Sequence, residues 1–167
     1  PVNLIGGQVF AGATRQFQIA SGYATSIFNG DAVLLVTSGT IEKDTGTTTA
    51  TPVGVFLGCS YVNAQGQTIY QQYFPASTTA PTGTVITAYV ADDPDTLFKV
   101  AVVSGTTVIA GVGRAVIGSN MSLVQNAGST TTGDSKVAVL SSSAATTNTL
   151  PIRVVDVVPD TATGADT

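Results

Sequence analysis

The sequence predicts an all-β chain: a small antiparallel β-barrel or sandwich with an extended N-terminal arm and at most one or two short helical turns. Three observations predict it. The apolar runs are short and dominated by Val, Ile, Thr, Tyr and Phe, residues that suit a pleated, half-buried surface. Gly, Asn, Asp and Ser bound those runs, with turn-rich connections of about 8 to 15 residues between them, the spacing of sandwiches and small barrels. Helical patterning is scarce, because the one stretch that invites it, 108–123, is interrupted by Gly111, Gly113 and Gly118, each costing about 1 kcal/mol relative to Ala in a helix interior.

In chain order, residues 1–15 read as an extended arm. A single β domain over 16–158 follows, and 159–167 reads as a flexible tail. At 167 residues a chain of this size buries roughly 70% of its unfolded surface, enough for one real core. Strands are expected at 16–20, 32–36, 84–91, 97–103, 136–140 and 152–158. The clearest hairpin is 53–62 returning through 68–74, with Asn63-Ala64-Gln65-Gly66-Gln67 as a polar, Gly-containing turn. In its first strand Val53, Val55, Leu57, Cys59 and Tyr61 alternate onto one face, which makes Cys59 a small buried apolar residue. Several runs, such as Val85-Ile86 and 100–103, are apolar on both faces. Self-association or docking onto a larger surface, or else barrel closure or a crossing loop, would cover the outer one. The Ser- and Thr-rich stretches 45–51, 77–84, 129–133 and 141–149 read as exposed loops.

Composition removes most routes to catalysis. The chain has no His and no Trp, one Cys, one Met and one Glu, and 40 of its 167 residues are Ser or Thr. A Ser nucleophile needs a base, yet His is absent and Lys43, Lys99 and Lys136 sit in no Ser-x-x-Lys context. Glu42 and Asp44 lie together in 40–46, which reads as a solvated turn without the burial that would set two carboxylate pKa values apart. No enzyme activity and no cofactor is expected. The net charge of −4, with three Arg and three Lys scattered singly, makes no basic stripe for phosphates, so no direct nucleic-acid partner is expected. No apolar run reaches the 18 or more residues of a membrane span, and no basic, then apolar, segment marks a secretion signal.

Asp92-Asp93-Pro94-Asp95 is the densest acidic cluster. Its spacing does not match a calcium loop, and Pro94 with a capping Asp93 explains it as a turn. Gly111-Val112-Gly113-Arg114 lacks the third Gly and the strand-to-helix setting of a phosphate cradle. Tyr70 and Tyr73, with Tyr61 and Phe74 beside them on the hairpin, form a candidate exposed aromatic platform for a sugar or a protein, with core packing as the plainer reading. In the arm, Leu4, Ile5, Val9 and Phe10 around Gly6-Gly7 suit docking onto a partner better than an isolated core strand.

The N-terminal stretch 1–16, then Ile19-Ala20-Ser21-Gly22-Tyr23 and Ile27-Phe28-Asn29-Gly30-Asp31, then 52–61, Tyr73-Phe74-Pro75 and 88–94, together resemble head decoration, or capsid cement, proteins of tailed bacteriophages. The resemblance covers most of the chain and rests on scattered aliphatic, Gly and Pro positions. It implies a β module on the outer capsid surface of the virion, bound to the major capsid protein as a homo-oligomer, often a trimer, with Leu4, Ile5, Gly6, Gly7, Val9 and Phe10 as docking residues. It departs at the C-terminus, where the proteins it resembles continue into another strand, so the resemblance does not by itself predict a fully closed barrel. Two other functions fit the residues: a carbohydrate-binding or adhesin domain of a tail fibre, and a tail-tube or connector subunit.

Overall fold

In a computed structural model, which describes residues 1–158, the apolar runs become strands in the order β1 (Asn3–Leu4), β2 (Arg15–Ile19), β3 (Ala32–Leu35), β4 (Ile41–Lys43), β5 (Gly54–Val62), β6 (Thr68–Gln71), β7 (Ile86–Ala91), β8 (Thr96–Leu97), β9 (Val102–Val103), β10 (Asn120–Met121), β11 (Leu123–Val124), β12 (Ala138–Leu140) and β13 (Ile152–Arg153). Single 3-10 turns at Arg114–Val116 and Ser141–Ser143 are the helical elements among the described residues. The chain is all-β, as its patterning predicts. The tail expected at 159–167 lies outside the described residues.

The described residues form two compact units that interleave along the chain. The first takes Pro1–Asp44, Pro52–Phe98 and Gly128–Lys136; the second takes Thr45–Thr51, Lys99–Ala127 and the stretch from residue 137.

In the first unit the strands run β2-β7-β5-β3-β4, antiparallel at every step, and β6 pairs with the far half of β5. The two ends of this order approach through a single parallel bridge between Gln18 and Thr40, which curls the sheet back on itself into a small barrel-like unit, with β6 as an edge strand. The interior follows from period-two alternation. Ile86, Ala88 and Val90 of β7 point inward, beside Ile19 of β2, Val33 of β3 and Ile41 of β4, with Ile27 and Phe74 added by flanking segments.

One expectation fails here. Val53, Val55, Leu57, Cys59 and Tyr61 do not share a face, because a bulge shifts the β5–β7 register between Phe56 and Gly58. The extra residue lets both Phe56 and Cys59 enter the core, although an odd spacing separates them. Glycines on either side of Phe56 make room for neighbouring backbone: a Cβ on Gly54 would collide with the Ala91 carbonyl, and one on Gly58 would sit 3.0 Å from the Gln71 carbonyl oxygen.

The second unit is built from shorter ladders. β11 pairs antiparallel with β12, β12 pairs parallel with β9, and β10 pairs with β13. Ala50, Val103, Met121, Leu123, Ala138 and Val139 are its buried apolar residues among those described. The strand expected at 97–103 is divided between β8 and β9, because the chain passes from one unit to the other between Phe98 and Lys99. The strand expected at 152–158 shortens to Ile152–Arg153. Thr45–Thr51 is more than the loop its composition suggests, since the Thr47 carbonyl accepts from the Leu123 N–H at 3.0 Å and the Gly46 carbonyl from Gln125 Nε2 at 2.9 Å.

Candidate functional site

Within the arm the backbone doubles back. Gly7, at φ +80°, makes the turn that a side chain would strain, the Leu4 N–H donates to the Gln8 carbonyl at 2.8 Å, and Asn3 bridges Val9. β1 then pairs with β8 in the register Asn3 to Leu97 and Leu4 to Thr96, and the Ile5 N–H donates to the Asp95 carbonyl at 2.8 Å. The arm is thus held by backbone bonds, which leaves its side chains to face outward. Ile5 is 59% exposed and Val9 78%, Gly6 and Gly7 are exposed, and Leu4 and Phe10 are half-buried. Six residues singled out from the sequence therefore lie on one short loop, and two of them present large apolar surface.

The turn that receives β1 is the acidic one. Asp93 caps it through its Oδ1, which accepts from the Asp95 N–H at 2.9 Å, and the Asp93 carbonyl accepts from the Thr96 N–H at 3.1 Å. Asp92 instead pairs with Arg15 of β2 at 2.9 Å. Among the described residues no group of three or more acidic or Cys side chains is placed to hold a metal ion.

The proposed aromatic platform separates into two environments. Tyr70, on β6, is 74% exposed. Tyr73 is half-buried and lies flat against Phe28, with ring centroids 5.4 Å apart and 13° between planes. Tyr70 has different company. Backbone register aligns Gln18, Thr87, Ser60 and Tyr70 as successive cross-strand partners over β2, β7, β5 and β6, and directly opposed residues share a face. A shallow groove of about 250 Å³ lined by Gln16, Phe17, Gln18, Val85 and Thr87 lies at the β2 end of that row. Ser60 Oγ and the Tyr89 hydroxyl are hydrogen bonded at 3.1 Å on the same strands.

The sequence reading missed a charged site. Glu42 lies in β4 and Asp44 is buried, so residues 40–46 are not a solvated turn. Between them Lys43 Nζ stands 3.0 Å from Asp31 Oδ2, with 10% of the Lys43 side chain exposed and none of the Asp31 side chain. The carboxylate also accepts from the Phe28 N–H at 2.9 Å on Oδ2 and from Ser135 Oγ at 2.6 Å on Oδ1. Two tight connections position these groups. The Asp31 N–H donates to the Phe28 carbonyl at 2.9 Å across a turn in which Gly30 takes φ +96°. Residues 128–136 reach Ser135 to the carboxylate by bridging Asn29 to Asp134, and Gly128 admits the Phe28 ring where a Cβ would collide with it. A signal was present in the sequence: Ile41 and Lys43 are two apart, so in a strand both point the same way, and Ile41 is plainly a core residue.

Cys59 is 1% exposed, and burial pushes its thiol up from 9.0 to about 12. Burial also raises the Tyr61 hydroxyl, with the neighbouring Cys59 and Tyr73 adding to the shift. Neither group is primed for nucleophilic attack. Compared with protein-family models, curated proteins and solved structures, the chain finds no match in any of the three.

Proposed function

We propose that this chain is a non-enzymatic structural protein of a phage virion that binds the outer surface of the assembled capsid and stabilises it. The observation that carries the reading is the arm: a loop tied down by backbone hydrogen bonds that holds Ile5 and Val9 out to solvent. Such side chains gain by burial against a partner, and a loop already ordered before binding loses little entropy in doing so. A protein that binds the assembled lattice and not its free subunits stabilises assembly by mass action at every site it occupies. Binding as a trimer to the major capsid protein would multiply that effect through avidity.

The test uses the full chain with Ile5→Asp and Val9→Asp together. Circular dichroism should be unchanged, and co-sedimentation with expanded capsid shells should be lost. Full occupancy by this variant overturns the assignment of the arm, and failure of the parent chain to bind any capsid overturns the function.

A second reading rests on a different observation. The uncharged row Gln18, Thr87, Ser60 and Tyr70 offers amides, hydroxyls and one aromatic ring, the groups that hold neutral sugars in a tail-fibre carbohydrate-binding domain. Glycan-array binding that disappears in Tyr70→Ala, in a chain that ignores capsids, would favour it.

A further inference from the structure

We propose that Asp31 and Lys43 condense to an intramolecular amide, so that the mature chain carries a covalent link between the turn at 28–31 and β4. The reacting groups already touch: Lys43 Nζ is 3.0 Å from Asp31 Oδ2, and neither side chain is more than one-tenth exposed. An ammonium and a carboxylate held this dry are costly as ions. Passing one proton from Nζ to Oδ2 leaves a neutral amine beside a neutral carboxylic acid, which are the two reactants of amide formation.

The surroundings suit the step. Nζ attacks the Asp31 carboxyl carbon, and negative charge develops on Oδ1, where Ser135 Oγ donates at 2.6 Å. That hydroxyl is placed as an oxyanion donor. The Phe28 N–H holds Oδ2 at 2.9 Å and fixes the rotation of the carboxyl group. The attack forms the C–N bond; collapse of the tetrahedral intermediate restores the carbonyl at Oδ1 and breaks the bond from carbon to Oδ2, which departs as water carrying the two protons surrendered by nitrogen. Atoms and charge balance without a co-reactant: ammonium plus carboxylate gives amide plus water. The Phe28 ring, 6.0 Å from Nζ and stacked on Tyr73, covers the pair, which hinders the reverse hydrolysis. Groups fixed in contact react as though present at an effective concentration of about 10⁵ to 10⁸ M, the term that makes an uncatalysed condensation accessible.

Intact-mass spectrometry of the purified full chain tests this. The parent should be lighter than its sequence mass by one water, and digestion should yield a branched peptide joining residues 31 and 43. Lys43→Arg keeps the ion pair and the fold but cannot form this amide, so its mass should equal its sequence mass. After cell-free synthesis, Ser135→Ala should acquire the link at least about 10²-fold more slowly than the parent. A parent chain at its full sequence mass, a Lys43→Arg chain that still loses water, or a Ser135→Ala chain that condenses at the parental rate each overturns the proposal.

Discussion

The two units of this chain use the same kinds of residue to different effect. In the first, β2 and β7 share five consecutive rungs and β5 nine residues of strand, so the inward side chains of the central strands β7 and β5 have strand neighbours on both sides. In the second, the ladders β9–β12, β11–β12 and β10–β13 have two rungs each, and much of the backbone bonding is made by loops. The Asn120 N–H and the Ala145 carbonyl, for example, pair at 2.8 Å. Core size differs accordingly: ten buried residues centred on Phe56 and Phe74 in the first unit, against a handful of aliphatic residues around Met121 in the second. The contrast teaches that β propensity alone does not set how far strands pair: similar residues make long ladders in one unit and two-rung ladders in the other.

Five experiments would break or sharpen that contrast. The largest effect is expected at Phe56, where truncation to Ala should cost about 3 to 5 kcal/mol in urea denaturation, with Met121→Ala nearer about 2 kcal/mol. Equal costs would mean that the second unit is packed as tightly as the barrel. Lys43→Ala should also cost about 3 to 5 kcal/mol, because it leaves the Asp31 carboxylate buried without its partner, whereas the double change Asp31→Leu with Lys43→Met, which also lacks the proposed link, should recover only the part due to the unpaired charge. Hydrogen exchange should next show the amides of Phe56 and Val90 opening only with global unfolding, and those of Met121 and Arg153 opening through cheaper local events. Uniform protection would erase the distinction.

The smallest effects belong to Cys59 and Tyr70. Because the folded thiol is raised to about 12, its contribution to stability is complete below its unfolded value near 9 and is lost as pH climbs towards 12. Cys59→Ala should therefore flatten the alkaline limb of the stability profile, and the native thiol should resist alkylation at pH 8. Tyr70→Ala, at an exposed position, should change stability by no more than about 0.5 kcal/mol.

How much of this was legible depends on how locally each feature is encoded. The all-β class, the hairpin of β5 and β6, and β2, β3 and β7 follow from alternation and turn residues, which are local. The bulge in β5 was not legible, since an alternating Val-x-Val-x-Leu-x-Cys run gives no sign that one residue will be skipped. β4 was hidden because Ile41-Glu42-Lys43 has one apolar residue and Thr-rich flanks. The arm residues were singled out from Leu4, Ile5, Val9 and Phe10 flanking Gly6-Gly7, a local pattern, whereas the exposure of Ile5 and Val9 is visible only in the structure. The Asp31–Lys43 pair was missed because residues 40–46 read as a solvated turn, which left the shared direction of Ile41 and Lys43 unused, and because Ser135 stands 104 positions away from Asp31.

The interleaving of the two units has a consequence for the order in which the protein can form. Residues 128–136 belong to the barrel unit, whose other residues all lie before position 99. During synthesis the barrel strands emerge first, yet Asp31 must wait for Ser135, a delay of several seconds at about 5 to 20 residues per second. In that interval the nascent barrel holds a carboxylate short of one donor while the strands of the second unit are still being made. Ribosome pausing between residues 98 and 135 would lengthen the exposure of this incomplete barrel, and a proteolytic cut there would remove a piece of both units at once.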